Sequence, residues 1–126
     1  MSTYPDVLAR LRRELPEPFP PGSPAEAEAI ARFRRFFADF SPNKVEQLLE
    51  PTYAEDVWFN DTLKTVVGRE ALAHYLRESA EAVEHCRVEI IDSTRNPEGE
   101  YLLRWRMVIR FKRFKKGQDT ESIGLS

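Results

Sequence analysis

Residues 53–76, YAEDVWFNDTLKTVVGREALAHYL, decide how this chain is read. Val57, Trp58 and Phe59 are β-branched or aromatic and favour an extended strand. Asn60-Asp61-Thr62 follows as a turn sequence, and Thr65-Val66-Val67 is a second short apolar run closed by Gly68. A small hairpin is therefore predicted. From Arg69 onward Leu72, Tyr75, Leu76, Ala80 and Val83 recur at helical spacing, with Glu70, Arg77, Glu78 and Glu81 between them. That period predicts an amphipathic helix from Arg69 to about His85.

Upstream, Ser23-Pro24-Ala25-Glu26 is a strong helix start, since Ser caps, Pro suits the first turn and Glu26 can complete a capping box. The helix is predicted to run to about Phe40, with Ile30, Phe33, Phe37 and Phe40 on one stripe and Arg32, Arg34 and Arg35 largely off it. Ser41-Pro42 repeats the signal, and Val45, Leu48 and Leu49 give a second short helix ending near Pro51. Pro16, Pro18, Pro20, Pro21 and Pro24 around Gly22 make a stiff extended connector. Before it, Val7, Leu8, Leu11 and Leu15 with Arg10, Arg12 and Arg13 predict a short amphipathic helix. It is either a lid on the main domain or a surface for a second subunit; so few basic and aliphatic residues make a poor membrane-surface helix.

Downstream, CRVEIIDST, the turn residues NPEGE and the long YLLRWRMVIRF read as paired strands, and TESIGLS as a returning one after KKGQD. Leu103, Trp105, Met107, Ile109 and Phe111 share one strand face; Arg104, Arg106, Arg110 and Lys112 share the other with Val108. Helix, helix, hairpin, helix and strand meander is the order of an α+β protein with helices on one face of a curved sheet. The 126 residues allow one main domain, and 19 basic against 21 acidic side chains leave a net charge of −2, which offers nucleic acid or an anionic membrane no general attraction. No run approaches the roughly 20 apolar residues that span a bilayer, so a cytoplasmic protein is expected. The single cysteine, Cys86, forms no internal disulfide and reads as a small buried hydrophobe.

Tyr53-Ala54-Glu55-Asp56-Val57, Phe59-x-Asp61, Val67-Gly68-Arg69-Glu70-Ala71-Leu72 and Tyr75-Leu76 together resemble the nuclear transport factor 2-like superfamily, in its SnoaL-like and ketosteroid isomerase-like branch. The resemblance covers about residues 24–126. It implies a cone-shaped, cystatin-like fold in which three helices pack on a curved, mostly antiparallel sheet around a pocket for a small apolar ligand. Residues 1–22 would be the helix and Pro-rich connector, and 23–126 the SnoaL-like domain, without the last strand that relatives add. Many relatives dimerise through the outer sheet face, which implies a homodimer here; no cofactor or metal is expected.

By the same resemblance Asp61 occupies the general-base position, and Trp58, Phe59, Phe33, Phe37, Tyr75, Leu103, Trp105 and Met107 line the pocket. A carboxylate among aromatics loses solvation and becomes a better base, whereas the turn reading makes Asp61 an acceptor for backbone amides; both stand. The chain departs from steroid isomerases, having Phe33, Phe36 and Phe37 where those present a tyrosine and about Ser126 where their second donor falls. An epoxide hydrolase arrangement needs an arginine flanked by carboxylates on the inner face, and Arg104-Trp105-Arg106 brings none in sequence. Those arginines are expected to pair across strands with Glu89 or Glu121. His74 is expected to be partly exposed and His85 to assist a helix C-terminus. Tyr53 and Tyr75 either donate into the pocket or sit in the core with satisfied hydroxyls. Three functions follow: an enzyme acting on a small carbonyl compound or epoxide, a non-catalytic ligand binder, or a protein-interaction and dimerisation module.

Overall fold

Two serine–proline pairs set the helical half of the molecule. In the computed structural model, which describes residues 3–14, 17–61 and 63–126, the elements are α1 (Tyr4–Glu14), α2 (Pro24–Ala38), α3 (Pro42–Thr52), β1 (Trp58–Asn60), β2 (Thr65–Val67), α4 (Arg69–Glu81), β3 (Val83–Arg95), β4 (Tyr101–Phe111) and β5 (Thr120–Leu125). Ser23 accepts the Glu26 amide at 3.2 Å and Ser41 the Lys44 amide at 3.3 Å, so each hydroxyl satisfies a donor that the first turn leaves open. Leu15 and Pro16, assigned by the sequence to the first helix and the connector, and Thr62 of the hairpin turn lie outside the described residues.

Phe36, Val45, Leu49, Val66, Leu72, Leu76 and Ala80 form the buried cluster, so α2, α3 and α4 close on one another and on the hairpin strand β2. Phe36 and Leu72 are fully buried at its centre. Gly68 links hairpin to helix. Its amide donates to the Val57 carbonyl at 2.7 Å while the Arg69 amide reaches the Glu55 carbonyl at 2.9 Å. Its φ of +92° is one that side chains other than glycine adopt only under strain.

The second layer is the antiparallel sheet β3-β4-β5, separate from the β1-β2 pair. Its register matches Cys86 with Ile109, Val88 with Met107 and Ile90 with Trp105, and Trp105 in turn with Gly124. The alternating strand face expected from sequence is therefore present, with Leu103, Trp105, Met107 and Ile109 on the inner side. At Gly124 a side chain is impossible without movement: a Cβ there would lie 2.2 Å from the Trp105 ring. The register shifts between Ile90 and Asp92, a bulge that keeps the two faces chemically distinct past Ile91.

α4 stops at Glu81 and does not reach His85 as its period suggested. Val83 continues the helical spacing by coincidence, but Cys86, Val88 and Ile90 alternate, and pairing them with β4 satisfies their backbone through the ladder. His85 is thus a strand residue, and its expected service to a helix end does not occur. α1 packs on its own chain: Val7 is buried, Tyr4 lies 5.8 Å from the Trp58 ring, and Arg12 holds Glu100 through two bonds of 2.7 and 3.0 Å. It thereby bridges the hairpin and the β3–β4 turn.

Glu26 fastens the start of α2 to the far end of the sheet, accepting from the Gly22 amide at 2.9 Å, from the Tyr101 hydroxyl at 2.7 Å and from Arg95 at 2.5 Å. The Tyr101 hydroxyl, the Gly22 amide and Arg95 hold its carboxyl down at about 2, from an ordinary 4.5. A depressed carboxyl contributes stability above its unfolded value and loses it as pH falls through the folded one. We expect Glu26→Gln to remove part of the stability decline between about pH 4.5 and 2 in acid-unfolding curves.

Candidate functional site

The site residues predicted from sequence fall into two groups. The first is built on the hairpin. Trp58 pairs with Val67, Phe59 with Val66 and Asn60 with Thr65, which turns Phe59 toward the helices and Trp58 to the opposite side, against Tyr4. Phe59 packs edge-on to Tyr53 and to Tyr75, with ring centres 6.3 Å apart in each case. Tyr53 continues to Phe33 at 6.3 Å, and Phe33 to Phe37 at 5.0 Å. A continuous aromatic wall thus runs from α2 past the end of α3 and across β1 to α4. Such edge and tilted contacts match the ring quadrupoles as well as burying area.

Asp61 stands where that wall ends, one residue beyond β1. Its Oδ1 accepts the amides of Leu63 at 3.1 Å and Lys64 at 3.0 Å, and its own amide donates to the Lys64 carbonyl. Its Oδ2 accepts the Tyr75 hydroxyl. One carboxylate therefore carries out the turn role and also meets a residue of the aromatic wall. Burial and the bond to Asp61 push the Tyr75 phenol up to about 12, so it remains an O–H donor through neutral pH. The Lys64 ammonium lies 5.2 Å from the centre of the same ring.

The second group lies on the sheet. Leu103, Trp105 and Met107 are half-buried on the inner side of β4 and are not part of the helix–hairpin cluster. The Trp105 indole donates to the Ser126 hydroxyl at 2.8 Å. Phe33, Phe37, Phe59, Tyr75 and Asp61 are brought together by the fold; Trp58 is placed with α1 instead.

On the outer side the arginines are paired. Arg106 grips Glu121 at 2.9 and 3.1 Å and approaches Glu89 at 4.0 Å, and Arg104 meets Asp92 at 3.4 Å. Arg106 does have flanking carboxylates, contributed by neighbouring strands, but on the sheet face opposite Trp105 and Met107. His74 is exposed beside Glu78, and His85 contacts Asp119 at 3.0 Å, a carboxylate shared with Arg110 at 2.9 Å. Among the described residues no three His, Cys, Asp or Glu side chains gather as a metal site. Burial raises the Cys86 thiol to about 11, which leaves it protonated and a poor nucleophile.

One feature escaped sequence reasoning. A cleft of about 300 Å³ opens between α2 and the outer side of β3, lined among others by Arg34, Arg87, Val88, Glu89, Arg106 and Val108. Its residues are scattered along the chain and follow no motif.

Residues 33–123 match the SnoaL-like domain family, and the chain belongs to it. Its fold is that of the nuclear transport factor 2-like proteins. An NTF2-like protein of unknown function from Exiguobacterium is 13% identical over 77% of this chain and 81% of its own, with a TM-score of 0.61. An LEH-like epoxide hydrolase from M. tuberculosis is 13% identical over 82% and 69%, with a TM-score of 0.62. A candidate SnoaL-like polyketide cyclase from Shewanella denitrificans is 17% identical over 80% and 74%, with a TM-score of 0.57. These likenesses are of fold. No curated protein matches the chain.

Because Oδ1 of Asp61 holds two exposed turn amides, which water can satisfy when the carboxylate is removed, Asp61→Ala should cost about 0.5–1.5 kcal/mol in urea unfolding, the net value of a typical hydrogen bond. Asp61→Asn keeps an acceptor there and should cost less.

Proposed function

We propose that the chain binds a small, largely apolar molecule between the inner face of the three-stranded sheet and the helices, and that Asp61 acts on it as general base. The observation that carries this reading is the inner face of β4. Leu103, Trp105 and Met107 form an apolar row that the helix–hairpin core leaves half-buried. Apolar surface in that state is stabilised by a ligand that covers it. The aromatic wall supplies the facing side and Asp61 with Tyr75 the polar group that orients the guest.

The chemistry that suits this pair is proton abstraction next to a carbonyl, the step shared by isomerases and cyclases of this kind. The Asp61 carboxylate takes the proton, the C–H electron pair moves into the enolate, and the oxygen that gains charge needs a donor. Tyr75 supplies one, replacing the tyrosine that steroid isomerases carry where this chain has Phe33, Phe36 and Phe37. No cofactor enters such a step. Hydrolysis of an epoxide, with the same carboxylate activating water, uses the same two groups.

Asp61→Asn should leave ligand affinity nearly intact and lower turnover by roughly 10²–10⁴-fold, the usual contribution of a general base. Tyr75→Phe should lower turnover while leaving binding. Turnover of an identified substrate that survives Asp61→Asn refutes the base assignment. A chain that binds without turnover, and loses affinity on Trp105→Ala but not on Asp61→Asn, is a binding module instead.

A second reading concerns the outer face. Ile123 and Leu125 on β5 and Leu102 on β4 are 71%, 62% and 50% exposed there, apolar surface that a homodimer would bury. Sedimentation should then show a dimer that Ile123→Glu converts to monomer; a chain monomeric at high micromolar concentration contradicts it.

A further inference from the structure

The structure assigns a second ligand site to this chain: the cleft between α2 and β3, which we infer takes a small organic anion, a carboxylate or phosphate monoester with a short apolar body. The inference is independent of the pocket proposed above. The free edge of β3 explains why the cleft exists. Cys86 faces that edge, since its carbonyl accepts the Phe40 amide at 2.9 Å, and Ile90 does too, since its carbonyl accepts Arg34 Nη1 at 2.7 Å. Val88 has the same parity, so its backbone amide and carbonyl point outward between those two closures. With α2 bonded on one side through Arg34 and the linker that follows it bonded on the other through Phe40, the opening is one residue long. That excludes an added peptide strand, which needs several consecutive edge groups, and leaves space for a small molecule.

Charge selects the kind of molecule. Of the cleft's ionised side chains, Arg106 is committed to Glu121 and Glu89. Arg34 donates only to a neutral carbonyl, and Arg87 has no carboxylate within salt-bridge distance among the described residues. Among the described residues, two guanidinium groups with no carboxylate at salt-bridge distance thus face one cleft, and the carboxylate that lines it, Glu89, lies 4.0 Å from Arg106. A guanidinium offers carboxylate or phosphate oxygens paired parallel donors, and the Val88 amide adds a backbone donor beside them. Ala38 and Val108 form an apolar lining for the rest of the guest. The volume of about 300 Å³ is at the lower end for small-ligand sites.

The test uses hexanoate, hexyl phosphate and uncharged hexanol as probes in amide-detected NMR titrations of the intact chain. Expected are saturable shifts centred on Ala38, Val88 and Glu89 with one or both anions, absent with hexanol. Arg87 is exposed and holds nothing in place, so Arg87→Glu should fold normally and bind the anion at least tenfold more weakly. Arg34→Gln should weaken it too, with Asp61→Asn leaving it unchanged. Sodium chloride should weaken binding further. Hexanol binding as well as the anions, shifts spread over the whole surface, or affinity unchanged in Arg87→Glu would each overturn the assignment. Loss of anion binding in Asp61→Asn would place the probe in the other pocket and overturn it as well.

Discussion

The placement of the helices on the sheet depends on how α2 meets the free edge of β3. A strand edge exposes unpaired amides and carbonyls, and burying them unsatisfied costs a few kcal/mol each. Here the Phe40 amide and the Arg34 guanidinium close two of the carbonyls, at Cys86 and Ile90. One of those bonds comes from α2 itself and the other from the linker just after it, so the C-terminal half of the helix is tied to this strand at two points. The helix–hairpin cluster around Phe36 is thereby joined to the sheet through β3. The same bonds leave an opening on the outer side of the edge. The cleft beside Val88 is a consequence of that docking geometry.

The division of the sheet into two chemically different faces follows from pleating alone. Arg104, Arg106 and Arg110 alternate with Leu103, Trp105, Met107 and Ile109, so pairing β4 with β3 and β5 brings the arginines against Asp92, Glu89, Glu121 and Asp119. Each exposed pair contributes little to stability. Their value lies in register, because a one-residue slip would turn the arginines onto the apolar side.

Much of this was legible in the chain itself. Ser-Pro starts, the hairpin around Asn60-Asp61 and the alternation of β4 are local signals, and each element formed where its local chemistry required. The end of α4 was not legible, because Val83 satisfies a helical and a strand period at once and only pairing with Phe111 decides between them. Trp58 was expected beside Phe59 in one pocket, yet neighbours in a strand face opposite ways, and α1 supplies Trp58 with a partner in Tyr4. The Arg34–Arg87 cleft was invisible for a different reason. Its residues belong to elements far apart in sequence, and nothing in the spacing of charges along a chain encodes which edges meet.

The two readings of Asp61 open at the sequence level turn out to involve different oxygens. Oδ1 is fixed by the amides of Leu63 and Lys64, so the carboxylate plane cannot rotate freely, while Oδ2 meets the Tyr75 hydroxyl at the end of the aromatic wall. For the base role proposed for Asp61, such anchoring would establish orientation before a ligand arrives. The anchoring also limits what the group can do. A guest reaching Oδ2 must share or displace the Tyr75 hydroxyl, and displacement costs a charge-assisted bond unless the guest's own oxygen receives that hydroxyl. A carbonyl compound, which offers both a proton to take and an oxygen to accept, satisfies both groups together; a plain hydrocarbon satisfies neither. In the proposed function, selection would therefore act through the pair, and an apolar pocket alone would not provide it.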